Sequence, residues 1–388
     1  MIINFILSEK LWTMGWKEGI IPVVRVLTEL VKTKNDTGEN TMQKVKYLGR
    51  AWEQNGVIWM GLSGTGVEFT FTGKKLEVTF LGDSRAAEET EQPFWDKGRV
   101  AVEIDGERTH CFCMDEKEKK LVIIESEAPE TRNVRILKIS EAAMSVVGIS
   151  DIQGDADSSI VPAEDKKYRM EVIGDSITCG YGIDDPCGEH AFATKTEDAT
   201  KAYAYKAAQL LGWDYSLVSY SGYGIVSGYT GEGILNTRET LPQYYEKVGY
   251  SVSTLPDGEK VQDISWDFSR FTPDVIVINL GTNDDSYCLD KPERQAEYSR
   301  LYVEFLKIVR AKNPAADIIC ILGLMGDRLY PFLQDAVGTY KEQTGDRHVR
   351  CVHVEPQKEE DGYSADFHPS VKSQKRLAEQ LCREISER

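Results

Sequence analysis

Ser176 lies in Gly174-Asp175-Ser176-Ile177-Thr178, where an apolar run through Val172-Ile173 stops abruptly. Far downstream, Ala365-Asp366-Phe367-His368-Pro369 supplies an acid and an imidazole. Between them, Asn279-Leu280-Gly281-Thr282-Asn283-Asp284 ends another apolar run with a carboxamide. None of these side chains has unusual chemistry alone. Together they meet the needs of acyl transfer to a serine. A hydroxyl is a poor nucleophile until a base within hydrogen-bond reach takes its proton, and charge gathering on a carbonyl oxygen needs N–H donors already in place. The types and their order suggest a serine esterase. Cys179, three residues past Ser176, is a competing nucleophile, but no histidine motif pairs better with it than with the serine.

For these segments to meet, one scaffold must bring their loops to a common edge. From Tyr168 onward the periodicity predicts strands over Tyr168–Ile173, Tyr215–Tyr220, Asp274–Leu280, Asp317–Leu324 and Val349–Val354. Helices are expected over Lys201–Leu211, Pro292–Lys312, Leu329–Gln343 and Val371–Ile385. Such alternation builds an α/β fold, a parallel sheet with helices on both faces, whose ligands sit outside the carboxyl ends of the strands. Ser176 follows the first expected strand, Gly222 the second and Asn283 the third, and His368 precedes the last helix. Ahead of this region, residues 45–163 read as short antiparallel strands: Val67–Phe71, Leu76–Phe80 after a break at Gly73, Val100–Ile104 closed by the hairpin turn Asp105-Gly106, Leu121–Ile124 and Val134–Ile139. That pattern predicts a β-sandwich. A polar linker, Pro162 to Lys167, separates it from residues 164–388. Residues 1–44 form an extension with a short helix expected at Pro22–Leu30, and Glu88-Glu89-Thr90-Glu91 reads as a solvated loop.

Composition narrows the partners. A net charge of −17 over 388 residues disfavours nucleic acid and polyanionic substrates such as pectate, but not a neutral glycan. The apolar start Met1–Glu9 lacks a basic region and a small-residue cleavage site, so a cytoplasmic protein with its eight cysteines reduced is expected. No stretch is apolar enough to span a membrane. His110-Cys111-Phe112-Cys113 lacks a second ligand pair at zinc spacing, and neither metal nor organic cofactor is expected. Gly222-Tyr223-Gly224-Ile225-Val226-Ser227-Gly228 fails as a dinucleotide loop because its third glycine falls one place late and it follows the second strand. His110, His190, His348 and His353 read as surface or core residues, with His353 the best placed for the core. Tyr181, Tyr223 and Tyr287 could stack on a sugar ring or simply pack. Ser370 is the expected N-cap of the last helix.

Gly174-Asp175-Ser176, Gly222, Gly281-Thr282-Asn283-Asp284 and the late acid-x-His resemble the four sequence blocks of the SGNH (GDSL) hydrolases. With the β-region, Leu137-Lys138-Ile139-Ser140-Glu141 and Trp266-Asp267-Phe268 leading into Pro273–Asn279, the whole resembles carbohydrate esterase family 2. The resemblance implies a flavodoxin-like SGNH domain behind a jelly-roll, and removal of acetyl groups from plant polysaccharides. It also implies Ser176 as nucleophile, His368 as base, and an oxyanion hole from the Ser176 and Gly222 N–H groups and the Asn283 amide. Most SGNH enzymes place the acid three residues before the histidine, where Ala365 stands here. Asp366 is therefore the expected orienting acid, with Asp361 and Glu355 as weaker stand-ins; some members instead use a Ser-His dyad whose histidine rests on a backbone carbonyl. The partner implied is an acetylated oligo- or polysaccharide, and homo-oligomers are compatible with the sequence. Two other readings compete: a lipase- or thioesterase-type hydrolase of the same superfamily, and a carbohydrate-binding protein with an idle hydrolase fold.

Overall fold

The computed structural model describes residues 45–89, 95–231 and 233–387. The extension over residues 1–44, with its expected helix, and part of the acidic run Glu88–Glu91 lie outside them. No helix among the described residues is long and apolar enough to cross a membrane.

The first nine strands are β1 (Lys46–Leu48), β2 (Trp52–Gln54), β3 (Val57–Met60), β4 (Gly66–Gly82), β5 (Arg99–Ile104), β6 (Glu107–Cys113), β7 (Glu118–Lys138), β8 (Val147–Gly154) and β9 (Ser159–Pro162). They form an antiparallel sheet in the order β2-β3-β8-β4-β7-β5-β6, with β1 and β9 also paired to β4. Alternation sets its faces: Val67, Phe69 and Phe71 are buried while Glu68, Thr70 and Thr72 are less so. Gly73 was expected to end a strand. Instead β4 continues through it with a register shift between Gly73 and Lys75. A Cβ at Gly73 would lie 2.5–2.7 Å from the Phe71 ring, Asp155 and Ser158, so the glycine admits a bulge rather than a turn. The expected strands Leu121–Ile124 and Val134–Ile139 likewise belong, except for Ile139 just past its end, to one strand, β7.

Five parallel strands follow: β10 (Arg169–Gly174), β11 (Asp214–Ser219), β12 (Val275–Asn279), β13 (Asp317–Leu322) and β14 (Val349–His353). Their order, β11-β10-β12-β13-β14, is the flavodoxin-like 2-1-3-4-5 arrangement, with its switch point at β10. The central strands are buried on both faces because helices cover each. After the helical turn α1 (Ser176–Cys179), α2 (Tyr203–Leu211) lies on one face with the last helix. The other helices are α3 (Thr282–Cys288), α4 (Pro292–Lys312), α5 (Tyr330–Thr344) and α6 (Val371–Ser386). Val275 and Val277 pack with Tyr203, Ala207, Leu377 and Leu381 of α2 and α6. Ile276 and Ile278 face the opposite way, toward Tyr302, Phe305, Leu306 and Leu333 of α4 and α5.

Ion pairs join the antiparallel sheet region to the parallel one. Lys46 Nζ lies 2.7 Å from Asp214, Arg99 Nη1 2.7 Å from Asp184, and Arg50 Nη2 3.1 Å from Glu171. Both members of the last pair are fully buried, and the Arg50 guanidinium is flanked by the Tyr245, Trp266 and Phe268 rings at 5.0–5.4 Å.

Candidate active site

Ser176 stands at the end of β10, on the first residue of α1. Asp175 caps that turn by accepting from Ile177 N at 3.0 Å, which directs the serine outward at the sheet's carboxyl edge. Its hydroxyl lies 2.9 Å from His368 Nε2. The two residues, 192 apart in sequence, thus meet in the geometry of a nucleophile and its base. Cys179, the competing nucleophile, is fully buried, and burial pushes its thiol well above the ordinary value.

The other ring nitrogen corrects an expectation. His368 Nδ1 is 3.2 Å from the carbonyl oxygens of both Ala365 and Asp366. The Asp366 carboxylate is not its partner. That carboxylate accepts from the Tyr181 hydroxyl at 2.7 Å and from Phe192 N at 3.1 Å. The cause is backbone: Asp366 (φ 49°) and Phe367 (φ 56°) both adopt the left-handed conformation, turning the Asp366 side chain away while its carbonyl faces the imidazole. Two consecutive non-glycine residues there store about 1–3 kcal/mol each, a strain typical of functional turns. The loop is braced by Asp366 N donating to His190 O and Phe367 N to Gly188 O. The stand-ins fare no better: Asp361 pairs with Lys372 and Arg376, and Glu355 with Lys358.

Tyr181 is the nearest aromatic neighbour of the imidazole. Its ring stacks on His368 at 4.0 Å between centroids and, on its other side, on Phe192 at 4.2 Å. Burial pushes the His368 imidazole down to about 4, against the opposing pull of the two carbonyls and the Asp366 charge. The ring is thus neutral at ordinary pH, with its proton toward the carbonyls at Nδ1 and Nε2 free to accept from Ser176.

Gly222 follows β11 in a left-handed conformation (φ 83°) that a side chain would disfavour. Among the described residues neither its N–H nor that of Ser176 has a protein acceptor. Asn283 Nδ2 donates to Tyr223 O at 2.9 Å and lies 3.5 Å from Asp175 Oδ2. The second contact is at the limit of a hydrogen bond, leaving one amide hydrogen available to a third acceptor. Asp284 stands beside it in the chain. Its buried carboxylate gathers the Ile225, Val226 and Ser227 N–H groups at 2.6–3.2 Å and so shapes the loop after Gly222. Burial pushes Asp284 up to about 6 and Asp175 to about 7.

Of the tyrosines singled out, Tyr223 packs in an aromatic cluster with Tyr220, Tyr244 and Tyr250, and Tyr287 lies under the Arg294 guanidinium at 4.1 Å. His353 is not a core residue; it is exposed and pairs with Asp327 at 3.0 Å, because its strand is the sheet edge. Ser370 does cap α6, accepting from Ser373 N.

Comparison with known proteins follows the same division. Residues 172–376 match the GDSL-like lipase/acylhydrolase family and residues 47–163 the carbohydrate esterase 2 N-terminal family. A cellulase/esterase CelE of Acetivibrio thermocellus is 28% identical over 83% of this chain, which spans only 37% of that relative's length. An acetylxylan esterase / glucomannan deacetylase of Cellvibrio japonicus is 27% identical over 68% of this chain and 72% of its own. The acetyl xylan esterase Est2A from the rumen bacterium Butyrivibrio proteoclasticus superposes with a TM-score of 0.78 at 24% identity, over 91% of this chain and 96% of that one. A family two carbohydrate esterase from Clostridium thermocellum, solved with cellohexaose, gives 0.75 at 24% identity, over 88% and 98%. With Ser176 and His368 in hydrogen-bond contact and more than half its length matched, the chain belongs to the GDSL-like lipase/acylhydrolase family, preceded by the N-terminal region characteristic of carbohydrate esterase family 2.

Proposed function

We propose that this protein is a serine esterase that removes O-acetyl groups from fragments of neutral plant polysaccharides, acetylated xylan or glucomannan, through an acetyl-enzyme intermediate. The observation that carries the reading is the 2.9 Å contact between Ser176 Oγ and His368 Nε2 beside two unengaged backbone N–H groups. His368 takes the Ser176 proton as the oxygen attacks the acetyl carbon. The Ser176 and Gly222 N–H groups, with Asn283, receive the developing oxyanion. The imidazolium then protonates the departing sugar oxygen, and water deacylates the serine with His368 again as base. The Ala365 and Asp366 carbonyls hold the Nδ1 proton in place of a carboxylate.

The sugar preference rests on relatives named acetylxylan esterase / glucomannan deacetylase and on a surface feature. Phe367, next to His368 in sequence, is 53% exposed, an apolar side chain on the surface of the loop that carries the base. The acidic net charge suits a neutral glycan. Acetate release from acetylated xylan and glucomannan oligosaccharides, followed by NMR, should exceed cleavage of matched octanoyl esters. A preference for the long chain would replace the reading with a lipase-type one, and sugar binding without any hydrolysis would leave only a binding protein.

The half-buried imidazole sets the pH response. The neutral base is active, so activity is present above its pKa and lost as pH falls through it. The acid limb of kcat/KM is expected near pH 4, below the roughly 6.5 of an unperturbed histidine. A limb at 6.5 or higher would contradict this description of the site.

A further inference from the structure

The antiparallel region reaches the residue that precedes Gly222. Glu141 follows β7, within the stretch matched to the carbohydrate esterase 2 N-terminal family, and is fully buried. Its Oε2 accepts from Ser221 N at 2.7 Å, in the peptide immediately before Gly222. Its own N–H donates to Glu197 Oε2 at 2.9 Å. Glu197 lies on the segment that returns to the nucleophile: Asp198 N donates to the carbonyl of Gly180, which caps α1, and Ala199 N to Ile139 O. Residues 139–141 are thus held between the loops that carry Ser176 and Gly222.

Glu141, Glu197 and Cys179 bring possible ligand atoms within 4.8 Å of one another, but a buried cation is already beside them. Lys138 is fully buried and donates to Ser140 O and Glu141 O at 2.7 Å. Burial and the Glu141 charge push Glu197 well above the usual carboxylate range. The cluster therefore serves as internal scaffolding, and its one contact with the proposed chemistry is the Ser221 peptide.

We propose that Glu141 is a positioning residue: by fixing the Ser221 N–H it orients the next peptide so that Gly222 N–H points at the oxyanion. This rests on the esterase reading. Glu141→Asp keeps the charge but withdraws the acceptor by one methylene, whereas Glu141→Gln keeps the reach and drops the charge. On 4-nitrophenyl acetate, Glu141→Asp should lower kcat by about 30- to 100-fold with KM within about 3-fold, just under the 10²–10³ lost when an oxyanion donor is deleted. Glu141→Gln should stay within about 3-fold of wild type. An unimpaired Asp variant, or a Gln variant as poor as the Asp one, overturns the proposal. Inactive wild type overturns the esterase reading instead. Should neither variant fold, amide exchange on the wild-type chain decides: Ser221 N–H must be strongly protected, and exchange at the rate of an exposed amide overturns the assignment.

Discussion

Ser176→Ala and His368→Ala are each expected to lose at least about 10⁴-fold in kcat on acetate esters, while Asp366→Asn stays within about 10-fold of wild type. The serine variant removes the hydroxyl that lies 2.9 Å from His368 Nε2 and would form the acyl bond. The histidine variant removes the ring nitrogen that lies 2.9 Å from Ser176 Oγ. Both substitutions trim side chains at the sheet's edge, so the fold should persist in circular dichroism. Asp366 differs because its carboxylate acts on Tyr181 and Phe192 N, not on the imidazole. An asparagine oxygen can still accept from one of these donors, and the carbonyls that hold Nδ1 belong to the backbone, which the substitution spares. In a Ser-His-Asp triad the matching change to asparagine costs about 10⁴-fold. A loss of that size in Asp366→Asn would restore the carboxylate to the imidazole and contradict the geometry, and an active Ser176→Ala would remove the nucleophile from the mechanism.

That contrast also marks the boundary of what the sequence carries. Strand–helix alternation is a local pattern, and it located β10 to β14 and α4 closely because apolar runs are written along the chain. Once five parallel strands are placed, Ser176, Gly222, Asn283 and His368 fall at one edge by topology. Side-chain direction at Asp366 is another matter. It depends on two left-handed residues in succession, which no propensity favours and only the surrounding loop, through His190 O and Gly188 O, enforces. Tyr181 was noticed for its ring, yet its stacking on His368 depends on a helical turn and a distant loop converging. Gly73 looked like a terminator because a bulge and a turn share the same residue. Glu141 stood in a stretch that resembles carbohydrate esterase family 2, but its role becomes visible only when Ser221 arrives from 80 residues away.

Arg50→Met is expected to destabilise the folded protein by about 3–5 kcal/mol, the usual cost of breaking a buried ion pair by removing one member. Arg50 carries more than the pair. It donates to Tyr245 O at 2.5 Å and Lys247 O at 3.0 Å, so the substitution strands two carbonyls as well as the Glu171 carboxylate. Glu171 sits on β10, the strand that leads to Ser176, and also accepts from Tyr245 Oη at 3.0 Å and Ser216 Oγ at 3.2 Å. Deleting its charge should therefore repair part of the damage. Arg50→Met combined with Glu171→Gln keeps an acceptor for Tyr245 and leaves no unpaired ion, so it is expected to recover about half the loss. Neighbours sharing one network couple by up to about 3 kcal/mol, well above the error of urea unfolding curves. Simple additivity in that double-mutant cycle would mean that Arg50 acts through its stacking on Tyr245, Trp266 and Phe268 and its bonds to the Tyr245 and Lys247 carbonyls, not through Glu171. The junction between the two sheets would then be held by the packing and carbonyl bonds around the guanidinium, with no stabilising share from the ion pair.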